Sequence, residues 1–351
     1  MHTITDAIRT ALVPFLVVTA GALLLLIGHI VILHGVREIA FRRRQRLLAR
    51  YRPLMAAALS GDDQSLETLV SSPHKHHAII SALVLEPLRV SAGQVTSRAL
   101  AAAQAMGFVA EWKVQLSDRR WWVRAEAARA LGLVRCPDVV ADLAQALDDH
   151  YDEVRASAVE SLGAIGDARA LPDLITRLAD QSRHQHVRLV HALQQFGSVA
   201  VLPLIEHGRT HIDARASVAE ILGSIGAAGA LDQLLDWSVD ERPDVRAAIW
   251  QAVGTIGVDD RAYYHLLRAL NDSADTVRAA AAWALGRSGR QDAAAYLAGR
   301  LDDEWIVAAQ TARALRALGA AGRRELEQAA SIKGSELARQ MLWECGVAAT
   351  V

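Results

Sequence analysis

The sequence predicts an all-α protein, a tandem stack of helical hairpins preceded by one N-terminal transmembrane helix. Three observations predict it. Hydrophobic residues make up 52% of the 351 residues while aromatics make up only 5%, so the interior is filled by small aliphatic side chains, as in closely packed helices. The run from Ala11 to Leu33 contains no Asp, Glu, Lys or Arg. One residue pattern then recurs along the remaining chain at a nearly constant interval.

In chain order, residues 1–10 form a short extracytoplasmic N-terminus whose only charges are Asp6 and Arg9. Residues 11–35 are the transmembrane helix, because the apolar run spans roughly 34 Å at about 1.5 Å per residue. Residues 36–53 follow as a basic juxtamembrane helix, in which Arg37, Arg42, Arg43, Arg44, Arg46, Arg50 and Arg52 oppose Glu38 alone. Such a flank resists translocation, stays on the cytoplasmic side and meets anionic lipid headgroups, at about 1 kcal/mol per basic residue. Subtracting the +6 of this stretch from the total of −1 leaves −7 for the rest of the chain, which argues against nucleic acid as a partner. Cys136 and Cys345 stand far apart without a CxxC, so neither a disulfide framework nor a cysteine-ligated zinc site is built.

Residues 54–351 carry about eight copies of the repeat. Each reads Asp, four residues, Val-Arg, an Ala-rich stretch, then Leu-Gly and a second Gly, as in DHYDEVRASAVESLGAIG from Asp149 and DERPDVRAAIWQAVGTIG from Asp240. Closing glycines fall at Gly107, Gly166, Gly197, Gly226, Gly257, Gly289, Gly319 and Gly346, with Arg135 in the place between the first two. Each copy holds two helices, one from Val-Arg to Leu-Gly and one in a following apolar stretch such as LPDLITRLAD. Val154, Ala158 and Leu162 lie four apart on one face, as do Val245, Ile249 and Val253, and Val277, Ala281 and Leu285; these are core positions. Asp149, Asp240 and Asp272 stand where a carboxylate accepts orphan N–H groups, and Gly163, Gly254 and Gly286 are placed to end the first helix in a left-handed residue. Pro172 and Pro203 suit the first turn of the second helix, and residues 323–351, with Leu342 and Trp343, form the C-terminal cap.

The D-x4-VR…LG-x-I-G unit resembles the short bacterial HEAT-like repeat, the type also called the phycobilisome-lyase repeat. The resemblance implies a right-handed α-solenoid, with first helices on the convex side and second helices lining a concave surface. It also implies an inter-repeat ladder from Asp118, Arg124, Asp149, Arg155, Asp240, Arg246, Asp272 and Arg278, whose role is stability. Arg290, outside the ladder, reads as a surface arginine.

Departures from the repeat mark candidate binding residues. Trp121 and Trp122 in the first strong copy and Trp305 with Ile306 in the last replace polar residues of an exposed first turn, and Trp283 replaces a polar residue of the helix. They either anchor a partner or pack on the neighbouring repeat. On the second helices, Arg177, His207, Asp236 and Arg268 vary in chemistry from copy to copy, as recognition requires. The unit Asp180 to Asp213 is irregular: its Val187-Arg188 stands close to Gly197, implying a longer preceding loop, and Gly208 interrupts the helix carrying His207 and His211. His184, His186, His191, His207, His211, His74, His76 and His77 read as solvated or core histidines, not as metal ligands.

No phosphate loop, GxGxxG after a strand, GxSxG elbow or paired catalytic carboxylates are present, so no catalytic, cofactor or metal residue is assigned. Iron hydroxylases built on HEAT pairs depend on His-Glu dipeptides, and the chain has none. The expected function is a scaffold tethered to the bacterial inner membrane, with its stack in the cytoplasm. It would dock as an accessory subunit to an integral membrane protein, with a polysaccharide-synthesising glycosyltransferase as one partner class. The alternative from another class is a bilin or tetrapyrrole lyase-like enzyme on the same repeats.

Overall fold

The computed structural model describes residues 2–89, 94–178, 183–331 and 335–344, with the side chains of residues 2–22, 24, 89, 94, 183, 184 and 344 outside the description. Helices joined by short turns and 3₁₀ segments make up the regular structure of the described residues, and no strand occurs among them. Two compact units divide the chain, Met1–Ala110 and Glu111–Val351.

The first unit opens on α1 (His2–Ser60), one continuous helix that contains both the apolar run and the basic stretch. It passes through Pro53 and ends seven residues beyond, where Gly61 (φ 106°) turns the chain. Its last turns bury Tyr51, Met55 and Leu59 against α2 (Asp63–Val70), α3 (His77–Leu85) and α4 (Gln94–Ala105). Polar bonds fix the same end: Tyr51 Oη lies 2.8 Å from His76 Nδ1, and Arg98 donates to the Leu59 carbonyl at 3.1 Å. Burial, followed by the charge of Lys75, pushes the His76 imidazole down from its ordinary value. Among the described residues no single helix is long and apolar enough to cross a membrane. The side chains from Ala11 to Ala22 that would decide the point lie outside the description, while Leu25, Ile27, Ile30 and Val31 beyond them are exposed.

Beyond α5 (Phe108–Gln115) the second unit is built of hairpins. They pair α6 (Trp121–Leu133) with α7 (Val140–Ala146), α8 (Asp152–Ile165) with α9 (Leu171–Ile175), and α10 (Arg183–Gln194) with α11 (Val201–Thr210). Then come α12 (Arg215–Ile225) with α13 (Leu231–Trp237), α14 (Pro243–Ile256) with α15 (Asp260–Ala269), and α16 (Asp275–Arg287) with α17 (Ala293–Ala298). The unit closes with α18 (Trp305–Ala317), α19 (Ala320–Ser331) and α20 (Glu336–Glu344). First helices α6, α8, α10, α12, α14, α16 and α18 pack each on the next as one layer. Val154, Ala158, Leu162, Val245, Ile249, Val253, Val277, Ala281 and Leu285 are all fully buried there, as the four-residue spacing predicts. Leu342 is buried in the terminal helix while Trp343 is exposed; Cys345 and Gly346 lie outside the described residues.

Two local readings change. Gly163, Gly254 and Gly286 do not end their helices; they lie inside them, at the crossing with the next first helix. A Cβ on Gly163 would stand 2.7 Å from Ala192 Cα, one on Gly254 2.9 Å from Ala284 Cα, and one on Gly286 2.6 Å from Ala314 Cα. Gly132 against Ser161 and Gly223 against Ala252 repeat the arrangement. The left-handed terminator is the second glycine, as at Gly166 (φ 71°), and Arg135 is driven into the same region (φ 52°) where the glycine is missing. Nor do the repeat aspartates cap the helices in the usual position. Asp149, Asp240 and Asp272 each accept from the N–H two residues on (Tyr151, Arg242 and Ala274, at 2.9–3.0 Å), which are themselves the N-cap residues. The carboxylate thereby closes the turn entering the helix and keeps its second oxygen free for another bond.

Gly286→Ala should lower stability by roughly 1–3 kcal/mol, because the helices at that crossing must separate. Gly229→Ala, whose added Cβ meets nothing within 4 Å, should be neutral or slightly stabilising. Chemical denaturation of the two variants checks the contrast, and equal stabilities would refute the close-crossing account.

Candidate functional site

The same carboxylates connect the repeats. Arg124 forks onto Asp149 of the following repeat at 2.6 and 2.7 Å, Arg246 onto Asp272 at 2.9 and 2.7 Å, and Arg278 onto Asp303 at 3.0 and 2.6 Å. Each arginine also donates Nη1 to the backbone carbonyl of its own repeat aspartate, Asp118, Asp240 and Asp272 respectively, at 2.8–3.0 Å. Both ends are withdrawn from water: the Arg246 and Asp272 side chains are 14% and 16% exposed. The bonds from arginine hold the carboxyl groups of Asp149, Asp272 and Asp303 below the ordinary carboxylate value. Asp118 starts the series and pairs with Arg120, which brings its carboxyl down to about 2. Arg155 reaches the Asp149 carbonyl at 2.7 Å and pairs with Asp152 of its own helix, while Asp180 lies outside the described residues.

The sequence reading missed one rung. Arg215 bonds Asp240 at 2.9 Å and the Gly208 carbonyl at 3.0 Å, although no Val precedes it to complete the motif. Conversely, Val187-Arg188 is not the repeat's Val-Arg pair. Val187 is exposed and Arg188 bonds Glu160 at 2.6 Å. Counting back from Gly197, the arginine register falls on His186, and α10 ends at Gln194, three residues before that glycine, whereas α8 runs to the residue before Gly166. Gly208 does not interrupt α11 either; it makes room for the Trp237 ring.

A second set of bonds joins successive second helices and the turns beside them. Arg177 reaches Asp148 at 2.5 Å, Arg209 reaches Gln233 at 2.7 Å, Arg261 reaches Asp232 at 2.6 Å and Arg290 reaches Asp260 at 2.5 Å. Arg177 is therefore committed to the stack, and Arg290 is no free surface arginine, since its guanidinium also lies 3.9 Å from the Tyr263 ring centroid. Asp236 and Arg268 remain exposed on this side.

Between α9 and α11 this layer leaves an open groove of about 470 Å³. Leu171, Pro172, Ile175, Val199 and Pro203 give it an apolar wall, with Glu206, His207 and Thr210 beside them. His207 stacks on His211 with ring centroids 4.1 Å apart, and burial followed by the neighbouring His211 pushes its pKa down. Its Nε2 is buried without a hydrogen-bond partner among the described residues.

The tryptophans divide. Trp283 is half-buried over Gly254 with the Arg287 guanidinium 5.1 Å from its ring, so it belongs to the stack and not to a partner surface. Trp121 is half-buried and stacks on Tyr151 of the following repeat, 5.9 Å between centroids. Trp122 (55% exposed), Trp305 (73%) and Ile306 (44%) stand in solvent. On α1, Arg42 pairs with Glu38 and Arg52 with Glu86, and the Arg50 guanidinium lies 5.5 Å from the Tyr51 ring, whereas Arg37, Arg43, Arg44 and Arg46 are exposed and unpaired among the described residues. No group of three or more metal-ligating side chains forms among the described residues; His74 Nδ1 lies 2.9 Å from His77 Nδ1, and the His77 ring packs edge-on against Phe108.

A family model described as HEAT repeats matches residues 109–194, 199–284 and 259–316. No curated protein matches the chain. Among solved structures, the complex of CpcE and CpcF of phycocyanin lyase from Nostoc sp. PCC7120 is similar at 21% identity, covering 68% of this chain and 94% of that one with a TM-score of 0.34. Importin beta is similar at 13% identity and a TM-score of 0.50; the match covers 83% of this chain and 46% of that one. These likenesses concern the fold alone.

Arg246→Ala should cost roughly 1–3 kcal/mol, because it strands the Asp272 carboxylate in a mostly covered position. Arg313→Ala, an exposed arginine on α18, should change the melting temperature little. The depressed carboxyl groups also set a pH dependence. Their folded values lie below the unfolded 3.8, so their stabilisation is complete above about pH 4 and disappears as pH falls further. Melting temperature should therefore be flat between pH 6 and 8 as far as these groups are concerned and drop below about pH 4, with a shallower drop in Asp272→Asn.

Proposed function

The chain belongs to the HEAT-repeat family, and on that premise we propose that it is a membrane-tethered scaffold binding another protein along the second-helix side of its stack. HEAT repeats serve protein–protein binding, and the observation that carries the reading here is the α9–α11 groove. Several charged groups of that layer bond to a neighbouring repeat, yet Pro172, Val199 and Pro203 stand exposed at the groove over the buried Leu171 and Ile175. A partner side chain entering it would cover apolar area at about 25 cal/mol per Å² beside His207. Binding, not catalysis, is the mechanism.

The tether is the N-terminal part of α1. Its support is the uncharged run Ala11–Leu33, continuous in one helix with the unpaired Arg37, Arg43, Arg44 and Arg46. That order of apolar and basic segments favours a cytoplasmic stack at the inner membrane, in contact with anionic headgroups and docked to an integral membrane protein.

Two readouts test this. Deleting residues 1–36 should move the chain from the membrane fraction to the soluble fraction; retention in the membrane would overturn the tether. Val199→Glu places a charge in the groove at a residue already 55% exposed, so the fold should survive while recovery of the co-purifying protein falls at least tenfold in mild detergent. Unchanged recovery for Val199→Glu together with loss for Trp122→Ser would move the interface to the first-helix ends.

A further inference from the structure

We propose that the second unit flexes at one built-in joint, the crossing of α10 and α12, which divides the stack into two stiffer arms. The first-helix layer contains six successive crossings. Five are made by a glycine against a small residue: Gly132 with Ser161, Gly163 with Ala192, Gly223 with Ala252, Gly254 with Ala284, and Gly286 with Ala314. At the same register the α10–α12 crossing has Gln194 and Ile221. Neither allows the close backbone approach found at the other five, and the contact between α10 and α12 is correspondingly sparse.

The polar rung is missing at the same place. Arg124–Asp149, Arg215–Asp240, Arg246–Asp272 and Arg278–Asp303 bind neighbouring first helices through partly buried, charge-assisted bonds. In α10 the arginine register is His186, and the aspartate register before α12 is Arg209, which bonds Gln233 instead. His186 Nε2 meets Glu220 at 3.3 Å, with Glu220 58% exposed; an exposed pair at that separation adds little restraint. The two changes are independent in sequence and act in the same direction. Where steric closeness and an ion-pair clamp are both absent, the free-energy cost of opening is lowest, so slow collective motion concentrates there. The arms on either side, α6–α9 with α10–α11 and α12–α19, keep the close glycine crossings, so a partner spanning the second-helix side would set the angle between them.

Pulsed electron–electron double resonance on the full chain in detergent, with Cys136 and Cys345 replaced by Ala, tests this. Nitroxides go at His191, Gln251 and Arg313, exposed residues that each stand six before a closing glycine. The pair at 191 and 251 spans two crossings including the joint; the pair at 251 and 313 spans two ordinary ones. The first distance distribution should be about twice as wide as the second. Equal widths would overturn the proposal. The double change Gln194→Gly with Ile221→Ala restores the common crossing and should narrow the first distribution towards the second. Should that variant not fold, hydrogen exchange of the unaltered chain decides: faster exchange in α10 and α12 than in α14 and α16 supports the joint, and uniform protection refutes it.

Discussion

The structure depends on how closely two first helices can approach. At each ordinary crossing a glycine Cα faces an alanine or serine, and no side chain larger than hydrogen fits between the backbones. Close approach lets the short side chains Ala128, Ala158, Ala281 and Ala312 fill the layer without voids. An interior of small residues is stable only at such distances, because dispersion falls steeply as a gap opens. Low aromatic content and recurring glycine are therefore two sides of one constraint.

The polar ladder follows from that spacing. Helices held close bring an arginine on one repeat within reach of the aspartate before the next, and the aspartate is already oriented by its bond to the N-cap N–H. The arginine is oriented in turn by the carbonyl of its own repeat. Both partners are thus arranged before they meet, which reduces the entropy lost on pairing and offsets the desolvation that weakens most buried ion pairs. The large aromatic residues Trp237 and Trp283 enter only where Gly208 and Gly254 leave room for them.

A stack that consumes its own charges this way leaves few groups for recognition. Arg177 and Arg290, which a sequence would offer as contact residues or free surface, are bound to neighbouring repeats. Apolar residues that stay exposed include Val199 and Pro203 at the α9–α11 groove and Trp122, Trp305 and Ile306. Both places expose apolar area on a polar layer, the property that distinguishes a binding surface from a solvated one.

The sequence by itself determined the helical hairpins, their period and the buried Val-x3-Ala-x3-Leu faces, because each follows from spacing along one chain; the Arg–Asp ladder was implied by the resemblance to HEAT-like repeats, and the structure added the Arg215–Asp240 rung to it. Arg135 stands where the period places a closing glycine, and only the structure shows that this position is left-handed. Tertiary structure decided the rest. Whether a glycine ends a helix or sits at a crossing depends on what faces it, and so Gly163, Gly254 and Gly286 took the role that spacing alone had assigned differently. Val187-Arg188 matched the motif yet lies two positions out of register, since only burial tells a core valine from an exposed one. The groove was illegible for the same reason. Its wall comes from Leu171 and Ile175 on one helix and Val199 and Pro203 at the next, and no local pattern records that two neighbouring helices leave a gap between them.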